Sequence, residues 1–140
     1  MEQSLLQKVK EQLVRHEGLK LRPYRCPAGK LTIGVGRNLD ANGISPKEAF
    51  ILLENDILRC ERELMEHIPI TYIEINETRK SVLLNMCFNL GISGLMEFKN
   101  TLAFIGAGDF EKAANGMLAS RWAKQVGRRA IELSEQMRKG

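Results

Sequence analysis

Glu17, Cys26 and Thr32 have side chains whose types and spacing suit bond hydrolysis. They lie in the stretch Arg15-His16-Glu17-Gly18-Leu19-Lys20-Leu21-Arg22-Pro23-Tyr24-Arg25-Cys26, which continues through Gly29-Lys30-Leu31-Thr32-Ile33-Gly34-Val35-Gly36. An acid closes a helical pattern, a thiol follows, and a threonine then opens a glycine-punctuated strand. Cleaving a glycosidic bond takes a carboxylic acid on one face of the bond and a group that handles water on the other. A helix end facing a β-hairpin can supply both. The C-terminal end of a helix carries partial negative charge, which disfavours an anionic Glu17 by about 0.3–1 kcal/mol. That is the direction a general acid needs. Taken singly, each residue has a bland explanation: an exposed surface glutamate, a small buried cysteine, a threonine favoured in strands. Around Cys26, however, Arg22, Arg25, Pro27 and Lys30 do not look like a core segment, and nearby cations favour the thiolate.

The elements that must position these groups follow from periodicity. Leu5, Leu6, Val9, Leu13 and Val14 recur at helical spacing over about 4–15, with Gly18 as a stop. Across 19–44, Pro23, Pro27, Gly29, Gly34, Gly36 and Gly43 interrupt any helix, while Leu31-Thr32-Ile33 and Val35 favour strand. A small twisted antiparallel hairpin or three-stranded sheet is expected there. Ser45-Pro46-Lys47-Glu48 is a capping box with proline at the first helical position. It opens a helix to about His67 along Ala49, Phe50, Leu53, Ile57, Cys60, Leu64 and Met65, ended by Pro69. Beyond it the chain is helical. Asn76 caps a segment stopped by Gly91, short pieces follow around 95–98 and 101–105, Asp109 caps another to Ala119, and a last helix covers about 128–138.

The 140 residues make one domain's worth of chain, with enough apolar content for a core. A net charge of +4 points to a polyanionic partner: nucleic acid, anionic lipid or a bacterial envelope. The three cysteines Cys26, Cys60 and Cys87 form no Cys-x-x-Cys pair and argue for a reducing compartment. Cys60 and Cys87 fall on apolar stripes and belong to the core. No apolar run approaches a membrane span, and Glu2, Lys8, Lys10 and Glu11 occupy the place of a signal peptide's apolar stretch, so no export route of its own is expected. His16-Glu17 lacks the second histidine of a zinc motif, because position 20 is Lys, and His67 has no partner spacing. Gly34-Val35-Gly36 lacks the third glycine and following helix of a dinucleotide loop. No metal or cofactor is expected.

The Glu17, Cys26, Thr32 spacing resembles the active-site region of the phage-type lysozymes (endolysins), where Glu, eight residues, Asp or Cys, five residues and Thr recur. The resemblance extends over nearly the whole chain. Asn85-Met86-Cys87-Phe88-Asn89-Leu90-Gly91 is similar to the family's cleft-lining helix. Ala119-Ser120-Arg121-Trp122 and Gly127-Arg128-Arg129-Ala130 are similar to its closing helices. The resemblance implies an α+β lysozyme-like fold: a β-rich catalytic lobe over about 16–44, a linking helix over 45–67 and a helical lobe over 68–140, with helix 4–15 packing on the helical lobe. It implies that Glu17 protonates the leaving oxygen while Cys26 and Thr32 manage the nucleophile, with an inverting, water-attack path preferred. Phe88 and Asn89 are to approach the sugar, Thr101 to add a hydroxyl, and Arg129 to lie beside the catalytic acid. It also implies an ion pair between Arg37 and Asp56.

The function so implied is hydrolysis of the β-1,4 bond between N-acetylmuramic acid and N-acetylglucosamine in peptidoglycan. The protein is expected to act as a monomer, without nucleic acid or membrane insertion, gathering in the host cytoplasm until a holin pore releases it to the periplasm and wall. Two other classes compete. One is a catalytically weakened peptidoglycan-binding relative, in which Cys26 marks lost activity; lysis of permeabilised cells separates the two. The other is a basic nucleic-acid-binding helical module built on Arg121, Lys124, Arg128, Arg129, Arg138 and Lys139. It has no docking motif and leaves the glycine-rich hairpin unexplained.

Overall fold

A computed structural model describes residues 1–140 as an α+β fold with two compact units, Met1–Phe50 and Ile51–Gly140. The first unit opens with α1 (Gln3–Glu17). Its apolar stripe is the expected one, and none of its residues is buried. Gly18 ends it with φ +77°, returning its N–H to the Val14 carbonyl at 2.9 Å. Such a φ is open to glycine at little cost.

Strands β1 (Lys20–Arg25), β2 (Leu31–Gly34) and β3 (Arg37–Asn38) form an antiparallel sheet in sequence order. Tyr24 faces Thr32 and Arg25 faces Leu31 across the first pair; Thr32 faces Asn38 and Ile33 faces Arg37 across the second. The register slips between Lys20 and Tyr24, the interval holding Pro23, which has no N–H for a ladder bond. The glycine-rich stretch was expected to exclude helix, yet α2 (Leu39–Asn42) forms one turn inside it. Asn38 makes that turn possible: its side chain accepts from the Ala41 N–H at 3.0 Å, and Gly43 closes the other end.

Helix α3 (Pro46–His67) starts on the full capping box. Ser45 N–H donates to Glu48 Oε1 at 2.8 Å, and Glu48 N–H donates to Ser45 Oγ at 3.1 Å. Arg37 and Asp56, the pair the resemblance implies, are each engaged within their own unit. Arg37 donates through both terminal nitrogens to Glu48, at 3.0 and 2.8 Å, and Asp56 accepts from Arg59 on its own helix at 3.0 Å. The capping box already holds Glu48 in place, so the guanidinium meets a carboxylate that needs no further ordering.

The second unit contains the rest of α3, then α4 (Pro69–Glu74), α5 (Glu77–Met96), α6 (Lys99–Gly106), α7 (Phe110–Leu118), α8 (Arg121–Val126) and α9 (Arg128–Lys139). Asn76 and Asp109 cap α5 and α7 as expected. Gly91 breaks α5 at φ +75°, but helix resumes beyond it. Helices α4 and α8 escape the periodicity because each has only six residues. Proline starts α4, and Ser120 caps α8 by accepting from the Ala123 N–H at 3.1 Å.

The core gathers Leu64, Val82, Leu83, Met86, Leu95, Met117, Trp122, Leu133 and Met137, with Cys60 and Cys87 among them. Each such apolar side chain contributes roughly 1.5–3 kcal/mol on burial. Helix α7 packs against α9, with Ala113 and Ala114 buried on the first and Ala130, Leu133 and Met137 on the second. Arg79 closes α9: Nε donates to the Met137 carbonyl at 2.7 Å and a terminal nitrogen to Arg138 O at 3.0 Å, with the guanidinium 3.4 Å above the Phe110 ring. A cation there satisfies carbonyls that the helix itself leaves free. No single helix is long and apolar enough to cross a membrane.

Candidate active site

The hairpin brings Cys26 and Thr32 together. Cys26 follows β1 and opens the turn, where its N–H donates to the Lys30 carbonyl at 3.0 Å and its carbonyl accepts from Gly29 N–H at 2.8 Å. Gly29, at φ +80°, lets the turn close this tightly. Thr32 is only 3% exposed, and its hydroxyl donates to the same Lys30 carbonyl at 2.8 Å. The thiol is held below the ordinary cysteine range, chiefly by the Lys30 N–H. Partial burial opposes this, and the Ala28 N–H and the Thr32 hydroxyl reinforce it. The Thr32 hydroxyl proton goes to the Lys30 carbonyl, and the same hydroxyl is near enough to the Cys26 sulfur to favour its anion. A thiolate and a hydroxyl held this way can orient a water and accept its proton.

Glu17 ends α1 with an exposed side chain. Its carboxylate lies over Gly36, the last residue before β3. A Cβ built on Gly36 would stand 2.9 Å from Glu17 Oε2 and 3.1 Å from its Cδ and Cγ. Gly36 also has φ +66°, so any side chain there is both crowded and strained. Gly36 is therefore the seat of the acid, a role the sequence hinted at only through its glycine spacing. Glu17 makes no hydrogen bond to Cys26 or Thr32.

The remaining candidates belong to the helical unit. Phe88 is 45% exposed and lines a mostly apolar cavity of about 440 Å³ with Leu53, Ile57, Leu84, Asn85 and Arg129. Asn89 is exposed, and its Oδ1 accepts the Trp122 indole N–H at 2.7 Å, which leaves the amide NH₂ free to donate. Trp122 also stands edge-on to Phe98, and both line a second cavity of about 550 Å³ with Glu97, Arg121 and Gln125. Trp122 is itself buried, and its anchoring of Asn89 is visible only in three dimensions. Arg129 is held by Asn85, with Nε donating to Asn85 Oδ1 at 2.9 Å. Thr101 is 6% exposed, its hydroxyl set against Gly116, where a Cβ would fall 2.6 Å away. It is a contact between α6 and α7 rather than a surface hydroxyl. No cluster of three His, Cys, Asp or Glu side chains is arranged to hold a metal ion.

Comparison with known proteins agrees with this architecture. The phage lysozyme family model matches residues 14–139. The chain is 31% identical to the pre-baseplate central spike protein of Enterobacteria phage T4 over 89% of its own length, but it spans only 26% of that protein. It is 25% identical to a probable T4-type lysozyme of Dictyostelium discoideum, covering 90% of this chain and 91% of the other. An endolysin of Acyrthosiphon pisum secondary endosymbiont phage 1 is 26% identical over 82% of this chain and 78% of its own.

Proposed function

The chain belongs to the phage lysozyme family of glycoside hydrolases, and from that membership we propose that it cleaves the β-1,4 bond between N-acetylmuramic acid and N-acetylglucosamine in peptidoglycan. The observation that carries the reading is the pairing of the Cys26 thiol and the Thr32 hydroxyl on one hairpin, in the same unit as the Glu17 carboxylate seated on Gly36. Glu17 donates its proton to the departing glycosidic oxygen. Cys26 and Thr32 hold a water on the opposite face of the sugar, and the thiolate accepts the water's proton as its oxygen attacks the anomeric carbon. The path is inverting and needs no covalent intermediate. Phe88 offers an apolar surface and Asn89 a free amide donor for the glycan, while Arg129, held by Asn85, lines the same cavity as Phe88.

In this reading the protein works as a monomer on glycan strands, reaching the wall from the host cytoplasm after a holin opens the membrane. A second setting is favoured by one finding, the similarity to a phage spike protein: the same chemistry carried on the particle. Mass analysis of muropeptides released from purified peptidoglycan tests the reaction. Products with reducing N-acetylmuramic acid ends are expected; reducing N-acetylglucosamine ends or anhydro-sugars would overturn the bond assignment or the hydrolytic step.

A further inference from the structure

Strand β2 extends toward the Cys26 turn further than β3 accompanies it. With Thr32 opposite Asn38, the next rung would set Leu31 against Leu39, but Leu39 already belongs to α2. A backbone partner for the Leu31 N–H is therefore missing, and a side chain takes its place: Leu31 N–H donates to Asp40 Oδ2 at 2.7 Å. The same oxygen lies 3.7 Å from a terminal nitrogen of Arg25. Arg25 and Leu31 face each other across β1 and β2 and bracket the turn that carries Cys26. Arg25 reaches into that turn as well, donating to the Gly29 carbonyl at 3.3 Å.

We propose that Asp40 is a positioning residue whose carboxylate locks the Cys26–Lys30 turn, and with it the distance between the Cys26 thiol and the Thr32 hydroxyl. Its contact with Arg25 is solvent-exposed and contributes little. The short bond from the Leu31 amide is the stronger tie, because a charged acceptor strengthens it. Leu31 stands between Lys30, whose N–H and carbonyl serve the thiol and the hydroxyl, and Thr32 itself. A shift at Leu31 therefore moves both reacting groups. The catalytic consequence rests on the reading of Cys26 and Thr32 as the water-handling pair; the hold on the turn does not.

The test uses the full-length protein with Asp40→Ala and Asp40→Asn. Iodoacetamide labelling of Cys26 across pH, resolved by peptide mass, follows the thiol's titration, while hydrolysis of purified peptidoglycan gives kcat and KM. In Asp40→Ala the thiol should titrate closer to an ordinary cysteine. kcat should fall roughly 10–100-fold with KM changed by less than about threefold, the signature of misplaced reacting groups. Asp40→Asn keeps an acceptor for the Leu31 amide and should recover most of both. A folded Asp40→Ala protein whose Cys26 titrates like the parent's overturns the proposal. A moved titration with unchanged hydrolysis upholds the hold on the turn and removes Cys26 and Thr32 from the catalytic set. Hydrogen exchange on the unsubstituted protein decides the matter even if Asp40→Ala does not fold. The Leu31 amide should be protected, and free exchange there overturns the proposal.

Discussion

Cys26 is where the chemistry of this site departs from a carboxylate. A free thiol is mostly neutral at pH 7. Here the Lys30 and Ala28 amides and the Thr32 hydroxyl shift it toward the anion against the opposing effect of burial. If the thiolate is the water-handling group, Cys26→Ser loses most activity, because serine offers no accessible anion, and Cys26→Asp keeps a substantial part. Activity in the parent should rise with pH through the lowered thiol pKa, and Cys26→Asp should move that limb into the acid range. Parent-rate hydrolysis by Cys26→Ser would leave Glu17 and Thr32 with a bound water. Iodoacetamide should inactivate the enzyme through Cys26 alone. Cys60 and Cys87 are each 2% exposed, and burial pushes the Cys87 thiol up to about 12. For the acid, Glu17→Gln keeps the shape but has no proton to give. Wall hydrolysis should drop by roughly 10²–10⁴-fold with an unchanged melting temperature. Near-parent turnover in that variant would take the acid role from Glu17. Gly36→Ala probes the acid's seat from the other side: the new methyl displaces the carboxylate and strains a positive φ. The expected result is a loss of about 1–3 kcal/mol in stability together with a fall in kcat. Retained kcat would mean the carboxylate does not need its place over Gly36.

At the scale of elements, the N-terminus of α3 gathers three ties on one residue. Glu48 accepts from Arg37 and from the Ser45 N–H, while its own N–H bonds to Ser45 Oγ. Arg37 first, then the Ser45 backbone, lowers the Glu48 carboxyl to about 2. A carboxyl that titrates lower in the folded chain than in the unfolded one, near about 4.3, stabilises the fold above that value. That stabilisation fades as pH falls toward about 2. Melting temperature should accordingly fall between about pH 5 and 2, and Glu48→Gln should be less stable at neutral pH and lose less on acidification. Equal pH slopes for parent and variant would show that these ties add nothing. The capping box was legible in Ser45-Pro46-Lys47-Glu48 because its partners are three residues apart and the geometry is local. The ion pair was not. Arg37 has many acids within reach of a flexible chain, and only the path through α2 and Gly43 brings Glu48 to it.

For the whole molecule, the charge of +4 is uneven in its partners. Lys20, Arg22 and Lys30 are exposed on or beside the hairpin and enter no ion pair, whereas Arg37, Arg59 and Arg138 are each engaged by carboxylates. Free cations on the hairpin that carries the proposed site should draw it to an anionic wall. Raising ionic strength from about 0.01 to 0.15 M shortens the screening length from about 30 to 8 Å. KM for wall fragments should rise over that range while kcat holds. A KM indifferent to salt would remove attraction by net charge from the account.

The sequence by itself determined what depends on short range: the capped helices, the breaks at Gly18 and Gly91, the strand-forming hairpin, and the Glu17, Cys26, Thr32 spacing on which the proposed chemistry rests. Those signals are legible because a few residues contain both partners. It also separated Cys60 and Cys87 from Cys26, since burial follows apolar periodicity. Only the tertiary structure decided which groups meet across long intervals. Asn89 is fixed by Trp122 and Arg129 by Asn85, Arg37 pairs with Glu48, and Asp40 fills the missing rung at Leu31. It also turned Thr101 inward against Gly116 and set the Glu17 carboxylate on Gly36. The physical reason is common to all of these. A hydrogen bond or a close approach requires contact within a few ångströms, and the path of the chain, not the identity of the residue, determines who is there.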